Sequence, residues 1–184
     1  MRVHARELAD VISAVKIADD EATREAIFRF RYSIYVDELR RGVGAVDVGD
    51  RSQRDPEDDE PNAVLIYTTV EDGSVNGTAR TGACAPHAAP RELRSRFSID
   101  GFPGLAEIGS AELGRVMLRR DRRGRSGLMS LVCAAYLVAA AELRSDVVFL
   151  TCLTGLVRHN RRIGFRTYAA QRVIAAIRTL QRRK

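Results

Sequence analysis

The sequence has no tryptophan, two lysines and three cysteines among 184 residues. Cys84, Cys133 and Cys152 stand far apart in apolar or small-residue surroundings. That spacing suits neither a disulfide framework nor a zinc site, and it fits a reducing cytosol. His4, His87 and His159 have no companions at ligand spacing, so no metal site is expected. No run approaches the 18 or so apolar residues a membrane-spanning helix needs. The first twenty residues carry Arg2, Arg6, Glu7, Asp10 and Lys16 without a continuous apolar stretch, unlike a secretory signal. A cytoplasmic protein is the expectation. No internal repeat or low-complexity tract appears.

What is present reads as one globular α/β domain. The chain is 45% apolar and 29% charged, and at this length folding buries roughly 70% of the unfolded surface. The formal net charge is +6, and all but Lys16 and Lys184 of the 30 basic residues are arginine. Fourteen arginines follow Arg115, so the second half is the basic half. A positive balance attracts anionic partners. Nucleic acid, a phosphorylated cofactor and an acidic carrier protein are all admissible on this ground.

Along the chain, Val11–Ile17 reads as a strand, and Asp19 and Asp20 supply a cap for a helix over about Glu21–Leu39. Ala26, Ile27, Phe30, Ile34 and Tyr35 lie near one stripe of that helix. Residues 40–62 are polar, with Gly42, Gly44, Gly49, Pro56 and Pro61 and acids from Glu57 to Glu60. They read as a long loop, either a mobile acceptor-side lid or a disordered insertion. Ala63–Val70 and Val75–Thr81, joined by Glu71-Asp72-Gly73-Ser74, read as a hairpin. An irregular region follows, with Pro86, Pro90, a basic segment at Arg91–Phe97, and Gly101, Pro103 and Gly104. Glu112–Leu118 reads as a strand, Arg119–Gly127 as a turn and Leu128–Arg144 as a helix. Val147–Leu153 is a buried strand and Thr154–Ile163 a short helix ended by Gly164. Arg166–Leu180 fits strand or helix.

Strand, basic glycine turn and helix over residues 112–144 are the chemical centre of this reading. Arg119, Arg120, Arg122, Arg123, Gly124, Arg125 and Gly127 open a helix whose unpaired N–H groups point back into the turn. Such a terminus attracts phosphate through hydrogen bonds and the helix dipole. An ordinary exposed loop is the equal alternative. The Gly-Lys-Ser/Thr ending of a Walker loop is missing.

These elements, followed by Asn160-Arg161-Arg162-Ile163-Gly164-Phe165-Arg166, resemble the GNAT acyltransferase superfamily. In that superfamily the turn binds the pyrophosphate of coenzyme A, and the ending reads Tyr-x-x-x-Gly-Phe. Aligned on Arg123, the chain has Ser126 and Leu128 where the usual small residues stand, and Asn160 in place of the tyrosine. The first half resembles acyl-homoserine-lactone synthases and, more closely, N-acyl amino acid synthases. The matching motifs are Phe30-Arg31-Tyr32-Ser33-Ile34-Tyr35-Val36-Asp37-Glu38, an acidic loop holding Asp47, Asp50, Asp55, Asp58 and Asp59, Gly77-Thr78-Ala79-Arg80, and Glu112-Leu113-Gly114-Arg115. The tryptophan usual in the early loop of the lactone synthases is absent.

The resemblance implies a GNAT fold, a central mixed twisted sheet flanked by helices. It implies acyl transfer from a thioester to an amine, with acyl-phosphopantetheine on an acyl carrier protein as donor and a small amine, such as an amino acid, as acceptor. No permanently bound cofactor is implied. Glu112 is the candidate to take the amine proton, directly or through water. The backbone N–H groups at Val116 and Met117 are the candidate oxyanion donors, on a strand that is bulged in the family. In a regular strand Glu112 and Arg115 would face opposite sides, and a bulge between them would change that. Arg122, Arg123, Gly124, Arg125, Ser126 and Gly127 would hold the donor. Arg31, Arg80 and Arg115 would shape the acceptor pocket, paired with loop acids or Glu112; a structural ion-pair network is the other reading. His159 either replaces the missing acid or is simply exposed. Cys133 and Cys152 read as core residues rather than nucleophiles. Two alternatives stay open: an acyl-coenzyme A enzyme acting on a peptide or polyamine, and a basic nucleic-acid-binding module, which lacks interleaved exposed aromatics.

Overall fold

The computed structural model describes residues 14–41, 45–84, 108–123, 125–152, 154–167 and 174–178, with Ser95, Phe97, Ser98, Gly101 and Gly104. Residues 11–13 of the expected first strand, His4, His87 and Gly124 lie outside the described residues. The strands are β1 (Val15–Ile17), β2 (Ala45–Asp47), β3 (Ser52–Arg54), β4 (Ala63–Thr69), β5 (Val75–Ala83), β6 (Ser110–Leu118), β7 (Val147–Thr151), β8 (Arg166–Thr167) and β9 (Ile174–Arg178). Among the described residues the α-helices are α1 (Glu21–Tyr32), α2 (Arg125–Ala141) and α3 (Val157–Arg162). Seven strands form one sheet in the order β1-β4-β5-β6-β7-β9-β8, and β2 and β3 form a separate pair. β6 and β7 run parallel while β1–β4, β7–β9 and β8–β9 are antiparallel, so the sheet is mixed. The architecture is α/β, a mixed central sheet flanked by helices.

By contact the chain forms two compact units, Met1–Arg80 with Arg115–Ala135, and Thr81–Gly114 with Tyr136–Lys184. In the first, α1 starts where Asp20 accepts a hydrogen bond from Thr23 N at 2.8 Å, which satisfies one of the orphan donors of a helix start. Its apolar stripe buries Ile27 and Phe28 against Leu65, and Phe30 and Ile34 against Met117. The helix expected over Glu21–Leu39 is continuous in span but widens at Ser33 into a π-helical turn, Ser33–Glu38. Leu39 N there donates to Ile34 O and Arg41 N reaches Tyr35 O. The hairpin of β4 and β5 forms as expected. Ser74 N donates to Asp72 Oδ1 at 2.8 Å, and Gly73 takes a φ of +83° that favours glycine.

Residues 40–62 differ from the expected loop. They hold the antiparallel pair β2–β3, with Ala45 opposite Arg54 and Asp47 opposite Ser52, then a 3₁₀ turn at Pro56–Asp58. Three-residue strands with no apolar alternation give no period-2 signal to read. The tight turn between them rests on Asp47, whose side chain accepts from Asp50 N at 2.9 Å. Gln53, Asp55 and Asp58 of this segment are buried.

In the second unit, β6 pairs with β7 from Ser110 opposite Val147 to Leu113 opposite Leu150. Phe97 and Phe149 pack at 5.5 Å, and Tyr136 and Phe165 at 5.9 Å. The short helix arrives as a 3₁₀ turn, Thr154–Leu156, followed by α3, and Gly164 closes it at a φ of +103°. The ambiguous tail resolves into strands β8 and β9. The helix expected over Leu128–Arg144 begins earlier, at Arg125, and ends at Ala141. Among the described residues no helix is long and apolar enough to cross a membrane.

Candidate active site

Asp55 and Asp58 lie at the two ends of one 3₁₀ turn and are joined through it: Asp55 N donates to Asp58 Oδ2 at 2.7 Å. Both carboxylates are inside the first unit, so each needs a cation. Arg31 reaches Asp58 at 2.7 Å, and both side chains are 0% exposed. Arg80 lies 3.4 Å from Asp55, 3.4 Å from Asp58 and 3.9 Å from Glu57. Arg115 Nε pairs with Asp55, and Gln53 Nε2 donates to Asp55 at 3.0 Å. Three arginines from α1, β5 and β6 therefore converge on a single turn. The expected partnership between Arg31, Arg80 and the loop acids is what the structure shows. Of the acids considered, Asp55 and Asp58 serve. Asp47 stays in the β2–β3 turn, and Asp59 pairs with Arg54 and Arg24 at the surface.

Burial alone would raise the Asp58 carboxyl, but the Arg31 and Arg80 cations and the hydrogen bond from Asp55 N outweigh it and hold the group below its ordinary value. Burial works against the charge on Arg31 as well, and Asp58 works for it. An arginine so paired stays protonated. For Arg115 burial is the largest single effect and works against the charge, yet the hydrogen bond to Asp55, the Asp55 charge and Tyr35 together outweigh it, and the net direction is upward.

Arg115 also carries a backbone irregularity. Its φ is +51° in the middle of β6, a left-handed conformation unusual for a side chain of this size. Such a residue costs about 1–3 kcal/mol and persists where its surroundings fix it. Here they do, because the guanidinium is tied to Asp55 and lies 5.6 Å from the Tyr35 ring. The expected bulge falls between Glu112 and Arg115, whereas the left-handed residue is Arg115 itself, at the end of that span. Val116 and Met117 follow it directly, Val116 half-buried and Met117 packed on Phe30 and Ile34. Glu112 lies in the second unit's part of β6, 5% exposed and opposite Phe149 on β7. Its backbone carbonyl accepts from Thr81 Oγ1 at 3.0 Å.

After β6 the basic turn is less cationic than its sequence. Arg119 is tied to Asp121 by two hydrogen bonds of 2.8 and 2.9 Å, and Arg122 lies 3.9 Å from the same carboxylate. Arg123 Nε donates to Leu118 O at 3.0 Å, and both of its Nη atoms grip Glu38, Nη2 at 2.6 Å. Arg125 and Ser126 form the first turn of α2. Gly127 lies close under the turn, where a Cβ would come within 3.2 Å of Arg122 O. The bond from Glu38 to Arg123 is the feature sequence reading misses, since 85 residues separate them without a periodic cue. Tyr35, on the apolar stripe of the early helix, touches the site through Arg115.

His159 is half-buried, and its Nε2 has no partner among the described residues. Asn160 is buried, and its carbonyl accepts from Ile163 N and Phe165 N at 3.1 Å each, fixing the Gly-Phe ending. Cys133 and Cys152 are half-buried, and burial pushes the Cys133 thiol up, away from the thiolate a nucleophile requires.

No protein-family model matches the chain, and no curated protein matches its sequence. Solved structures do match it. FeeM, an N-acyl amino acid synthase from uncultured soil microbes, superposes with a TM-score of 0.68 at 13% identity, over 91% of both chains. MesI, a coenzyme A-dependent acyl-homoserine-lactone synthase, superposes with a TM-score of 0.60 at 22% identity, over 87% of this chain and 83% of its own. An acetyltransferase of the GNAT family from Staphylococcus aureus Mu50 gives 0.58 at 13% identity, over 90% and 99%. The chain has the GNAT fold. Within it, the irregular β6, the basic turn and α2 follow one another as the resemblance in sequence implies. The Arg31–Asp58 and Arg115–Asp55 pairs add a charged network on the α1 side of that strand.

Proposed function

We propose that the chain is an N-acyltransferase that moves an acyl group from an acyl-carrier-protein thioester to the amine of an amino acid or similar small acceptor. One observation carries the reading: Arg115, left-handed in the middle of β6, is held there by Asp55 and Tyr35. A built-in irregularity of this kind turns backbone N–H groups away from the ladder, where they can meet a developing oxyanion. Val116 and Met117 supply those groups. Glu112, three residues earlier in β6, takes the proton from the attacking amine. The amine nitrogen then bonds to the thioester carbon, the tetrahedral oxyanion collapses, and the carbon–sulfur bond breaks, the departing sulfur taking up the second proton shed by that nitrogen to leave as the thiol. Holding amine and thioester together accounts for much of the acceleration in such a reaction.

The arginines divide by exposure. Arg31 and Arg80 are 0% and 3% exposed and engaged with the acids, so they organise the turn at Pro56–Asp58. Arg115, with 19% of its side chain exposed, is the most accessible of the three, and it rather than the buried Arg80 is assigned here to an acceptor carboxylate, for which a guanidinium fork is suited. The turn from Arg119 to Gly127 and the start of α2 receive the donor's phosphate. The FeeM likeness favours an amino acid acceptor, and the MesI likeness keeps coenzyme A in view as an alternative donor.

The test is mass spectrometry of the purified protein with long-chain acyl carrier protein or acyl-coenzyme A and a pool of amino acids and amines. An amide product is expected, formed more readily from the carrier protein. Glu112→Gln is expected to lower kcat by about 10²-fold or more with an unchanged unfolding midpoint. Unaltered turnover in that variant would remove Glu112 from the mechanism.

A further inference from the structure

The donor turn draws its charge from Arg119, Arg120, Arg122 and Arg123, and the structure shows what opposes it. Asp121 takes Arg119 through two hydrogen bonds and stands near Arg122. Glu38 takes both Nη atoms of Arg123, whose Nε is already committed to Leu118 O. Among the described residues Arg120 makes no ion pair. Four cations thus face Asp121 and Glu38 at close range, with the Asp72 charge acting on Arg119 from farther off, and the fork best fixed in direction is the one already filled. Glu38 does not arrive by chance, since it ends the π-helical turn Ser33–Glu38 and Leu39 N closes that turn on Ile34 O. The hydrogen bond from Arg123 holds the Glu38 carboxyl below its ordinary value, against a small opposing effect of burial. It is therefore a full negative charge at neutral pH, set where a donor phosphate would seek Arg123.

We infer that Glu38 is a donor-specificity residue: by neutralising Arg123 it tunes the turn for the single phosphodiester of carrier-bound phosphopantetheine and against the multiply charged pyrophosphate and 3′-phosphate of free coenzyme A. This rests on the donor role proposed for the turn. A like charge beside an anion site disfavours each ligand in proportion to the ligand's own charge. Coenzyme A carries several negative charges where the carrier's linkage carries one. Glu38 thereby acts by exclusion more than by attraction, as specificity often does.

The experiment measures Kd by isothermal titration for two probes, coenzyme A and 4′-phosphopantetheine, on the wild type, Glu38→Gln, Arg123→Gln and the double variant. Glu38→Gln is expected to tighten coenzyme A about tenfold and phosphopantetheine clearly less, so the affinity ratio moves toward coenzyme A. In the Arg123→Gln background no fork is left to release, so the same change is expected to move the ratio less than in the wild-type background, through the direct repulsion of the Glu38 charge alone. An unchanged ratio in Glu38→Gln, or weaker binding of coenzyme A, overturns the inference while the donor turn stands. Weaker binding would mean that Glu38 holds the Arg123 fork in place for the phosphate. If neither probe binds any of the proteins, the donor reading itself falls and the inference with it.

Discussion

A guanidinium with no exposed surface must find its counter-charge inside the protein, and Arg31 finds it at Asp58, 2.7 Å away. Its Nε and Nη2 have no hydrogen-bond partner among the described residues, and its plane lies 5.5 Å from the Phe28 ring. One carboxylate therefore carries most of the compensation. Asp58→Asn is expected to cost about 3–5 kcal/mol, because it strands a buried cation rather than deleting a pair. Asp59→Asn, one residue along, removes an exposed partner of Arg54 and is expected to cost under about 1 kcal/mol. Urea unfolding of both variants checks this, and equal losses would show that the buried pair is not special. That Arg31 needs an acid is legible in the sequence, since it lies on the buried stripe of a helix. Which acid it takes is not. Asp55, Asp58 and Asp59 are chemically alike in the sequence, and a 3₁₀ turn started by Pro56 decides which of them point inward.

The hairpin of β4 and β5 is legible because Glu71-Asp72-Gly73-Ser74 separates two apolar runs. Its packing shows why glycine stands at position 77: a Cβ there would lie 2.6 Å from Thr68 Oγ1 and 2.8 Å from Leu118 Cδ2. Gly77→Ala would have to push a strand neighbour and the end of β6 apart, and a loss of about 1–3 kcal/mol is expected. Gly155→Ala, in a 3₁₀ turn with open space around the added carbon, is expected to be within about 1 kcal/mol of the wild type. Thermal unfolding separates the two, and a tolerated Gly77→Ala would show that the sheet yields at this point. The elements that escape sequence reading do so for physical reasons. β2 (Ala-Val-Asp) and β3 (Ser-Gln-Arg) are three residues each, too short for alternation to be read, and the residue that β3 buries is the polar Gln53. The π-helical turn at Ser33–Glu38 keeps the apolar stripe of an α-helix and differs in hydrogen-bond register, which leaves no mark in residue type. The start of α2 at Arg125 rather than Leu128 lies in a run of arginines and glycines whose one capping-type side chain, Ser126, points to a later start than the one found.

The formal charge of +6 rests almost wholly on arginine, which does not titrate below about pH 12. The cationic side of the balance is therefore fixed across the accessible range, and the pH dependence of stability belongs to the acids. Several carboxyls titrate below their ordinary values: Asp20 through Thr23, Asp72 through Ser74, Asp121 through Arg119, Glu38 through Arg123, and Asp58 against its own burial through Arg31 and Arg80. A group whose folded value lies below its unfolded one binds fewer protons when folded. Its stabilisation is complete above the unfolded value of about 4 and is lost as pH falls through the folded value. Stability is thus expected to be nearly level from about pH 5 to pH 8 and to fall on the acid side alone. Asp58 is the buried member of the set, so it should dominate that fall. Each proton taken up on unfolding contributes a slope of about 1.4 kcal/mol per pH unit. The acid limb of Asp58→Asn should therefore be shallower than that of the wild type by close to one proton. Urea titrations at half-unit steps from pH 2.5 to 8 measure both slopes. Parallel limbs would mean that the exposed carboxylates carry the acid sensitivity and that the Arg31–Asp58 pair contributes none of it.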